Sequence, residues 1–317
     1  MTTGDPTGSS MWGSTTTSVP LPAGRPGTRV TFRRYAGLDD IPGMAAASVA
    51  LRGHLGRFEP IDVDGMRHAY THLVNSVPTL DCLLVEVDGV IAGYVRVEWH
   101  DLVDGDRVFD HGVTVEPKAW GLGVLDACIE WAEARSLEIA PTVPGDRRSW
   151  LQEYQLDGDE EHRAAIERRG YQAVRLDATM RRPHMEHIPA LEVPAGFTLR
   201  APEPHELPAV QAMVVAWDGD RPASAICGML DVQPDGSLAG QLDSLATHPG
   251  YRRLGLARAC MVRSLELLRA GGATLAYLWV DTDNQSGALA LYESCGFRVE
   301  TTSTTFRKPM DPVEATA

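Results

Sequence analysis

The chain has 317 residues, 44% of them apolar, with a mean hydropathy of −0.17 and a formal net charge of −14 at pH 7. That length holds two domains of about 150 residues each. No run approaches the ~20 consecutive apolar residues that span a bilayer, and the acidic balance excludes nucleic acid as the principal partner, because phosphate backbones require a basic face.

Five cysteines (Cys82, Cys128, Cys227, Cys260, Cys295) are scattered without a Cys-x-x-Cys. This excludes a disulfide framework or zinc knuckle and points to a reducing, cytoplasmic setting. Residues 1–28 are rich in Thr, Ser, Gly and Pro, with neither a basic start nor an apolar segment. They read as a disordered tail rather than an export signal.

From residue 29 the elements follow in order. Residues 29–33 read as a strand, and 38–52 and 63–77 have helical spacing. Strands over 80–87 and 90–99 meet at Asp88-Gly89, a strong hairpin signal. A strand over 108–115 runs into Glu116-Pro-Lys-Ala-Trp-Gly-Leu-Gly123 and an apolar helix to Arg135. Residues 150–156 read as a further strand, and 160–171 as a helix ending in a Gly-aromatic turn. The prolines of 181–195 rule out a continuous helix and mark a linker.

After a strand over 197–200, two readings of the next stretch stand side by side. Either Ala216-Trp-Asp-Gly-Asp-Arg-Pro222 is a turn between strands, or 205–217 is one helix. A strand then breaks at Pro249, and a short loop with Arg252, Gly255 and Ala257 opens into an apolar helix through Leu268. A loop of this kind points successive N–H groups into one concavity at the positive end of a helix dipole, which favours a diphosphate. Small residues at 255 and 257 let such a ligand approach the backbone. The spacing lacks the Gly-Lys-Ser/Thr ending of a P-loop and is not Gly-x-Gly-x-x-Gly.

The loop Arg252-x-x-Gly255-x-Ala257 resembles the acyl-CoA pyrophosphate loop of GCN5-related N-acetyltransferases (GNAT). The strand Leu275-Ala-Tyr-Leu-Trp-Val280 follows at the family's distance. Residues 288–297 match the Ala/Ser-x-x-x-Tyr-x-x-x-Gly-Phe part of its helix and turn, with Asn284 upstream at one residue more than the family's Asn-x-x-Ala/Ser spacing. The resemblance covers roughly residues 197–309, and the upstream half repeats its plan. It implies an α/β (α+β) protein of two tandem GNAT-like domains, each a mixed, mostly antiparallel splayed sheet flanked by helices. The expected layout is a degenerate N-terminal domain over 29–183, a linker over 184–195, a C-terminal domain over 196–310 and a tail over 311–317.

The resemblance further implies acetyl-CoA as co-substrate, no metal, and an amine on a small molecule or peptide as acceptor. Leu245, Ala246 and Thr247 would offer backbone groups to the pantetheine arm. Arg252, Arg253, Leu254, Gly255, Leu256 and Ala257 would line the pyrophosphate. Tyr292 would protonate the departing thiolate, and Asp243, read as sharing a strand face with Leu245, would act as base through water. Asn284 would bond the pantetheine arm or cap the following helix. The upstream loop is two residues shorter, has Lys118 near the Arg position, and places Ile166 where Tyr292 falls. Poor acyl-CoA binding is therefore expected there, and a non-catalytic acyl-CoA-binding protein is the competing function. His68 and His72 have metal-pair spacing, but no third ligand is evident.

Overall fold

The computed structural model describes residues 16–17, 27–57, 61–201, 212–233, 235–282 and 287–310. It divides into two compact units: Met1–Val174 with Thr304–Ala317, and Arg175–Ser303.

In chain order the first unit begins with β1 (Thr16–Thr17) and β2 (Val30–Arg34), followed by α1 (Ile41–His54), α2 (Val63–Thr71) and α3 (Pro78–Asp81). Then come β3 (Cys82–Val87), β4 (Val90–Asp101), β5 (Arg107–Val115), α4 (Val124–Ile139), β6 (Ser149–Leu156) and α5 (Glu160–Arg168). Strands β1 to β5 pair antiparallel in sequence order, and β5 pairs parallel with β6 across the α4 crossover. Asp88 and Gly89 both take positive φ, as a tight two-residue hairpin turn requires. The α4 face carrying Val124, Leu125, Cys128, Ile129, Trp131 and Ala132 is buried at helical spacing and joins Phe32, Val95 and Phe109 in the core. Thr16–Thr17 pairs with Arg33 and Phe32, inside the segment read as an unstructured tail. Residues 1–15, 18–26 and 311–317 lie outside the described residues.

The second unit contains most of β7 (Gln172–Arg182), then β8 (Thr198–Arg200), β9 (Ala212–Asp218), β10 (Arg221–Val232), β11 (Leu238–Thr247), α6 (Leu256–Ala270), β12 (Ala273–Asp281), α7 (Ala288–Ser294) and the start of β13 (Arg298–Pro309). Its strands run β7-β12-β11-β10-β9-β8, with only the β11–β12 pair parallel. The turn between strands read at 216–222 is the alternative observed, joining β9 to β10 with Gly219 at φ 57°; a helix over 205–217 is excluded because 212–217 lie in β9. Helix α6 buries Leu256, Ala259, Cys260, Met261, Leu265 and Leu268. It sits so close to the sheet that a Cβ on Gly240 would fall 2.8 Å from Leu268 Cδ1.

Unit boundaries depart from the expected 183/184 division. Ala178 and Met180 of β7 are fully buried in the second unit's core, and β7 pairs with β12 from Asp177↔Asp281 to Arg182↔Ala276. Conversely, Phe306 of β13 lies in the first unit's core, where Met310 N–H donates to Ser149 C=O at 3.1 Å and Lys308 Nζ meets Glu133 Oε1 at 3.0 Å. The last strand of each sequence repeat therefore completes the other unit. Proline spacing marks where the chain turns, whereas a domain edge is set by which core an apolar face enters, and local sequence does not report that.

No helix among the described residues is long and apolar enough to cross a membrane.

Candidate active site

Strands β11 and β12 pair only over their first halves, from Leu238↔Ala273 to Gln241↔Tyr277, and then separate. On its other edge, β11 pairs with β10, but the register slips between Ala225↔Ala246 and Cys227↔Asp243. One extra residue of β11 is thus accommodated, and Ser244 takes φ 53°, a left-handed conformation uncommon outside glycine. The bulge ends the regular alternation of side chains. Leu242 and Leu245 both pack on the apolar cluster that includes α6, while Asp243 is exposed. Asp243 and Leu245 therefore do not share a face as strict alternation requires.

Into this opening converge Ile226, Leu242, Asp243, Ser244, Leu245, Met261, Leu278, Trp279 and Tyr292, lining a small pocket that is open to solvent. Tyr292, on α7, is 9% exposed, and burial raises its hydroxyl above the ordinary tyrosine value. It thus carries its proton at neutral pH and makes no hydrogen bond among the described residues. Asp243 Oδ1 accepts the Ser244 N–H at 2.7 Å. Ala246 and Thr247 continue the strand, with Ser224 Oγ bonded to Ala246 C=O at 2.9 Å.

Beyond β11 the chain makes a 3₁₀ turn at Pro249–Tyr251, capped by His248, whose Nδ1 accepts Gly250 N–H at 3.2 Å. His248 thus caps a turn. Arg253 takes φ 63°, and Gly255, the N-cap of α6, takes φ 82°. Space does not demand glycine at 255, since a Cβ there would meet only Pro194 Cγ at 3.7 Å; the backbone conformation does. The first helical bond is Ala259 N–H to Gly255 C=O, which leaves the N–H groups of Leu256, Ala257 and Arg258 without an intrahelical acceptor. Arg252, Arg253 and Leu254 are exposed, and neither arginine is ion-paired among the described residues. N–H groups at a helix start, a helix dipole and two guanidiniums without an ion pair among the described residues suit an anion. Asn284 lies outside the described residues.

The corresponding region of the first unit differs at each point. The β4–β5 ladder runs from Asp101↔Arg107 to Gly93↔Val115 without a slip. Its loop glycines, Gly121 and Gly123, have positive φ, but Trp120 Nε1–H donates to Val115 C=O at 3.2 Å and Lys118 Nζ is tied to Glu116 at 2.7 Å. Ile166 is fully buried. Where β5 and β6 part, after His111↔Glu153, the space holds a buried polar cluster. His111 Nδ1 and His162 Nε2 contact the two oxygens of Glu153 at 2.9 and 3.2 Å, and His111 Nε2 meets Ser136 Oγ at 2.9 Å.

His68 and His72 stack on each other, with ring centroids 4.2 Å apart, and His72 Nδ1 lies 2.9 Å from the His68 carbonyl. Among the described residues, no group of three or more His, Cys, Asp or Glu is arranged to hold a metal. Burial pushes the Cys295 thiol up, as expected of a packing residue. Sequence reasoning missed Trp279 and the Ser244 bulge. The alternation of Tyr277 and Trp279 with Ala276, Leu278 and Val280 was the available signal for Trp279; nothing local announces the bulge.

The Acetyltransferase (GNAT) family pattern matches residues 54–171 and again 175–297. Mycothiol acetyltransferase of Beutenbergia cavernae is 26% identical over 82% of this chain and 94% of its own length. That of Salinispora arenicola is 28% identical over 66% of the chain and 75% of its own. Among solved structures, a GCN5-related N-acetyltransferase from Sphaerobacter thermophilus superposes with a TM-score of 0.75 at 19% identity, covering 90% of this chain and 96% of that one. A tandem GNAT protein from the clavulanic acid biosynthesis pathway superposes at 0.65 and 16% identity, over 90% and 100%. With the family pattern matched twice and the splayed sheet present, this chain belongs to the GNAT acetyltransferase family and carries two copies of its domain in tandem.

Proposed function

We propose that the chain transfers an acetyl group from acetyl-CoA to a primary amine of a small molecule or peptide, by direct attack in the second unit. The observation that carries this reading is the meeting of Tyr292 and Asp243 at the cleft where β11 and β12 separate. The loop around Arg252, Arg253 and Gly255 is the diphosphate end of the site, and the bulged stretch from Ser244 to Thr247 receives the pantetheine arm.

The chemistry is mostly positioning and proton handling. The neutral amine attacks the thioester carbonyl, the C–S bond breaks, and the thiolate takes the Tyr292 proton. The attacking nitrogen loses its surplus proton to Asp243 through water. A tyrosine held protonated by burial suits the first transfer, and an exposed carboxylate in contact with solvent suits the second. The first unit, with its unbulged strand and filled cleft, has a supporting role in this reading.

For the acceptor, the names of the curated relatives make a mycothiol-related amine the first to test. Isothermal titration of acetyl-CoA, with Gly255→Glu as control, tests the cofactor assignment. Binding at one site per chain that disappears in the variant supports it. No binding by the wild type removes it.

A further inference from the structure

Arg182 ends β7 and alternates in phase with Ala178 and Met180, so it points to the side of the sheet where those two enter the core. It is 6% exposed, and among the described residues no carboxylate is paired with it; burial lowers its pKa below the ordinary arginine value. Its hydrogen bonds go to main-chain carbonyls. Nη1 donates to Cys295 C=O at 2.5 Å and Nη2 to Glu186 C=O at 2.9 Å, while Nε has no acceptor among the described residues. A guanidinium taken out of water without a counter-charge is costly, so a purely packing role favours an apolar side chain at this place.

Cys295 is the C-cap of α7, and its carbonyl lies at the negative end of that helix, where a cation is favoured. The helix has seven residues, too few to be stable alone, and Tyr292 is the residue it buries. The turn that Arg182 grips is the turn that carries Tyr292. The Tyr292 carbonyl accepts the N–H groups of Cys295 and Phe297 at 2.9 and 3.1 Å. Gly296 between them has φ 87°, and a Cβ there would collide with Arg182 Nη1, so this glycine both supplies the turn and leaves room for the guanidinium. The first unit lacks the arrangement. A Cβ on Gly170, just past α5, would meet nothing, and Lys308, as far past Gly296 as Arg182 is past Gly170, goes to Glu133 instead. The clamp is present where a tyrosine faces a cleft and absent where Ile166 is buried.

We propose that Arg182 is a positioning residue for the transfer, holding the last turn of α7 so that the Tyr292 hydroxyl stays at the cleft. This rests on the acetyltransferase reading above and adds to it a residue from the end of the first sequence repeat. The second unit thereby takes from that repeat the geometry of its acid as well as a strand. Arg182 acts through Tyr292 rather than on the reacting atoms.

The test is a double-mutant cycle in the full chain, combining Arg182→Met with Tyr292→Phe. Hydroxylamine, small enough to reach any amine site, serves as acceptor, and CoA release above the uncatalysed rate is the readout. A wild type that neither binds acetyl-CoA nor turns it over removes the acetyltransferase reading and this proposal with it, and so does binding without turnover. Arg182→Met should lower kcat about 10²-fold, as a misplaced catalytic group does, with the acetyl-CoA Kd within about twofold. Arg182→Lys, which keeps the charge, should recover part of the loss. In the Tyr292→Phe background, Arg182→Met should lower kcat by less than about twofold, because the group it positions is gone. Circular dichroism checks that each variant folds; if Arg182→Met does not, Arg182→Lys takes its place in the cycle. An equal loss of kcat in both backgrounds, or a kcat indifferent to Arg182, overturns the role of Arg182 and leaves the acetyltransferase reading standing.

Discussion

Gln241 and Tyr277 form the last paired rung between β11 and β12, and the Tyr277 hydroxyl fixes it by donating to Gln241 Oε1. The cleft opens from that rung. At the same station of the first unit stand His111 and Glu153, also the last rung of a parallel pair, bonded to each other at 2.9 Å. There the space beyond is taken up by His162, Ser136 and Tyr171. One framework therefore yields an open cleft in one unit and a filled one in the other.

If Tyr292 supplies the proton to the departing thiolate, Tyr292→Phe loses that transfer and nothing else. The rate constant kcat should fall by about 10²-fold or more, with the acetyl-CoA Kd within about twofold because no binding contact is removed. Steady-state kinetics beside calorimetry separates the two. Equal losses in both would assign the hydroxyl to binding.

Arg252 is exposed and unpaired among the described residues, so its removal leaves no buried partner behind. Arg252→Ala should weaken acetyl-CoA binding by about 1.5–3 kcal/mol, the worth of a charge-assisted hydrogen bond. The deficit should shrink as salt is added, since exposed charges are screened. Titrations at low and high ionic strength check both points; a salt-independent loss would argue against a phosphate contact.

The cluster around Glu153 should dominate the pH response of the first unit. Burial alone would raise the Glu153 carboxyl, but hydrogen bonds from His111 and His162 hold it below its ordinary value of 4.5. Burial alone would lower His162, and Glu153 outweighs it and raises the imidazole above 6.5. Stability from the lowered Glu153 is present above 4.5 and is lost as the pH falls through its folded value. Stability from the raised His162 is present below 6.5 and is lost as the pH rises through its folded value. Glu153→Gln should cost about 3–5 kcal/mol, typical of breaking a buried pair by removing one partner. The difference from wild type should be greatest between pH 4.5 and 6.5 and narrow on both sides. Urea melts across that range measure it, and a flat difference would mean the pair is not ionised.

The exchanged end strands bear on any attempt to separate the repeats. A fragment starting at residue 191 loses β7, with buried Ala178 and Met180, and exposes the edge of β12. A fragment ending at 303 loses Phe306 and the bonds of Arg307 and Lys308 to Gln152 and Glu133. Each should be unfolded or aggregated by circular dichroism and size-exclusion chromatography, because a buried aromatic side chain alone is worth about 3–5 kcal/mol against a total margin of about 5–15. Mixing the fragments 1–190 and 191–317 should restore structure. An independently folded fragment 191–317 would show that β7 is dispensable.

Much of the second unit was legible in the sequence, because its signals are local. Alternation marked β12, helical spacing marked α6, and Arg252-x-x-Gly255-x-Ala257 at the start of α6 read as an anion loop; the left-handed backbone of Arg253 and Gly255 is what the structure adds there. Tyr292 followed from its distance to Gly296 and Phe297. The side of the sheet that Asp243 faces was not legible. One extra residue at Ser244 breaks the twofold period, and an inserted residue in a strand looks like any other residue. The division into units was equally hidden: 172–182 and 298–309 have the patterns of ordinary strands, and only the cores that received Met180 and Phe306 assigned them. The sequence by itself determined the elements, the loop and the family, since each rests on spacing along a few consecutive residues. The tertiary structure alone decided the cleft, its two faces, the exposed Trp279 and the filled counterpart around Glu153, because these depend on where strands stop pairing and which side chains from different elements meet.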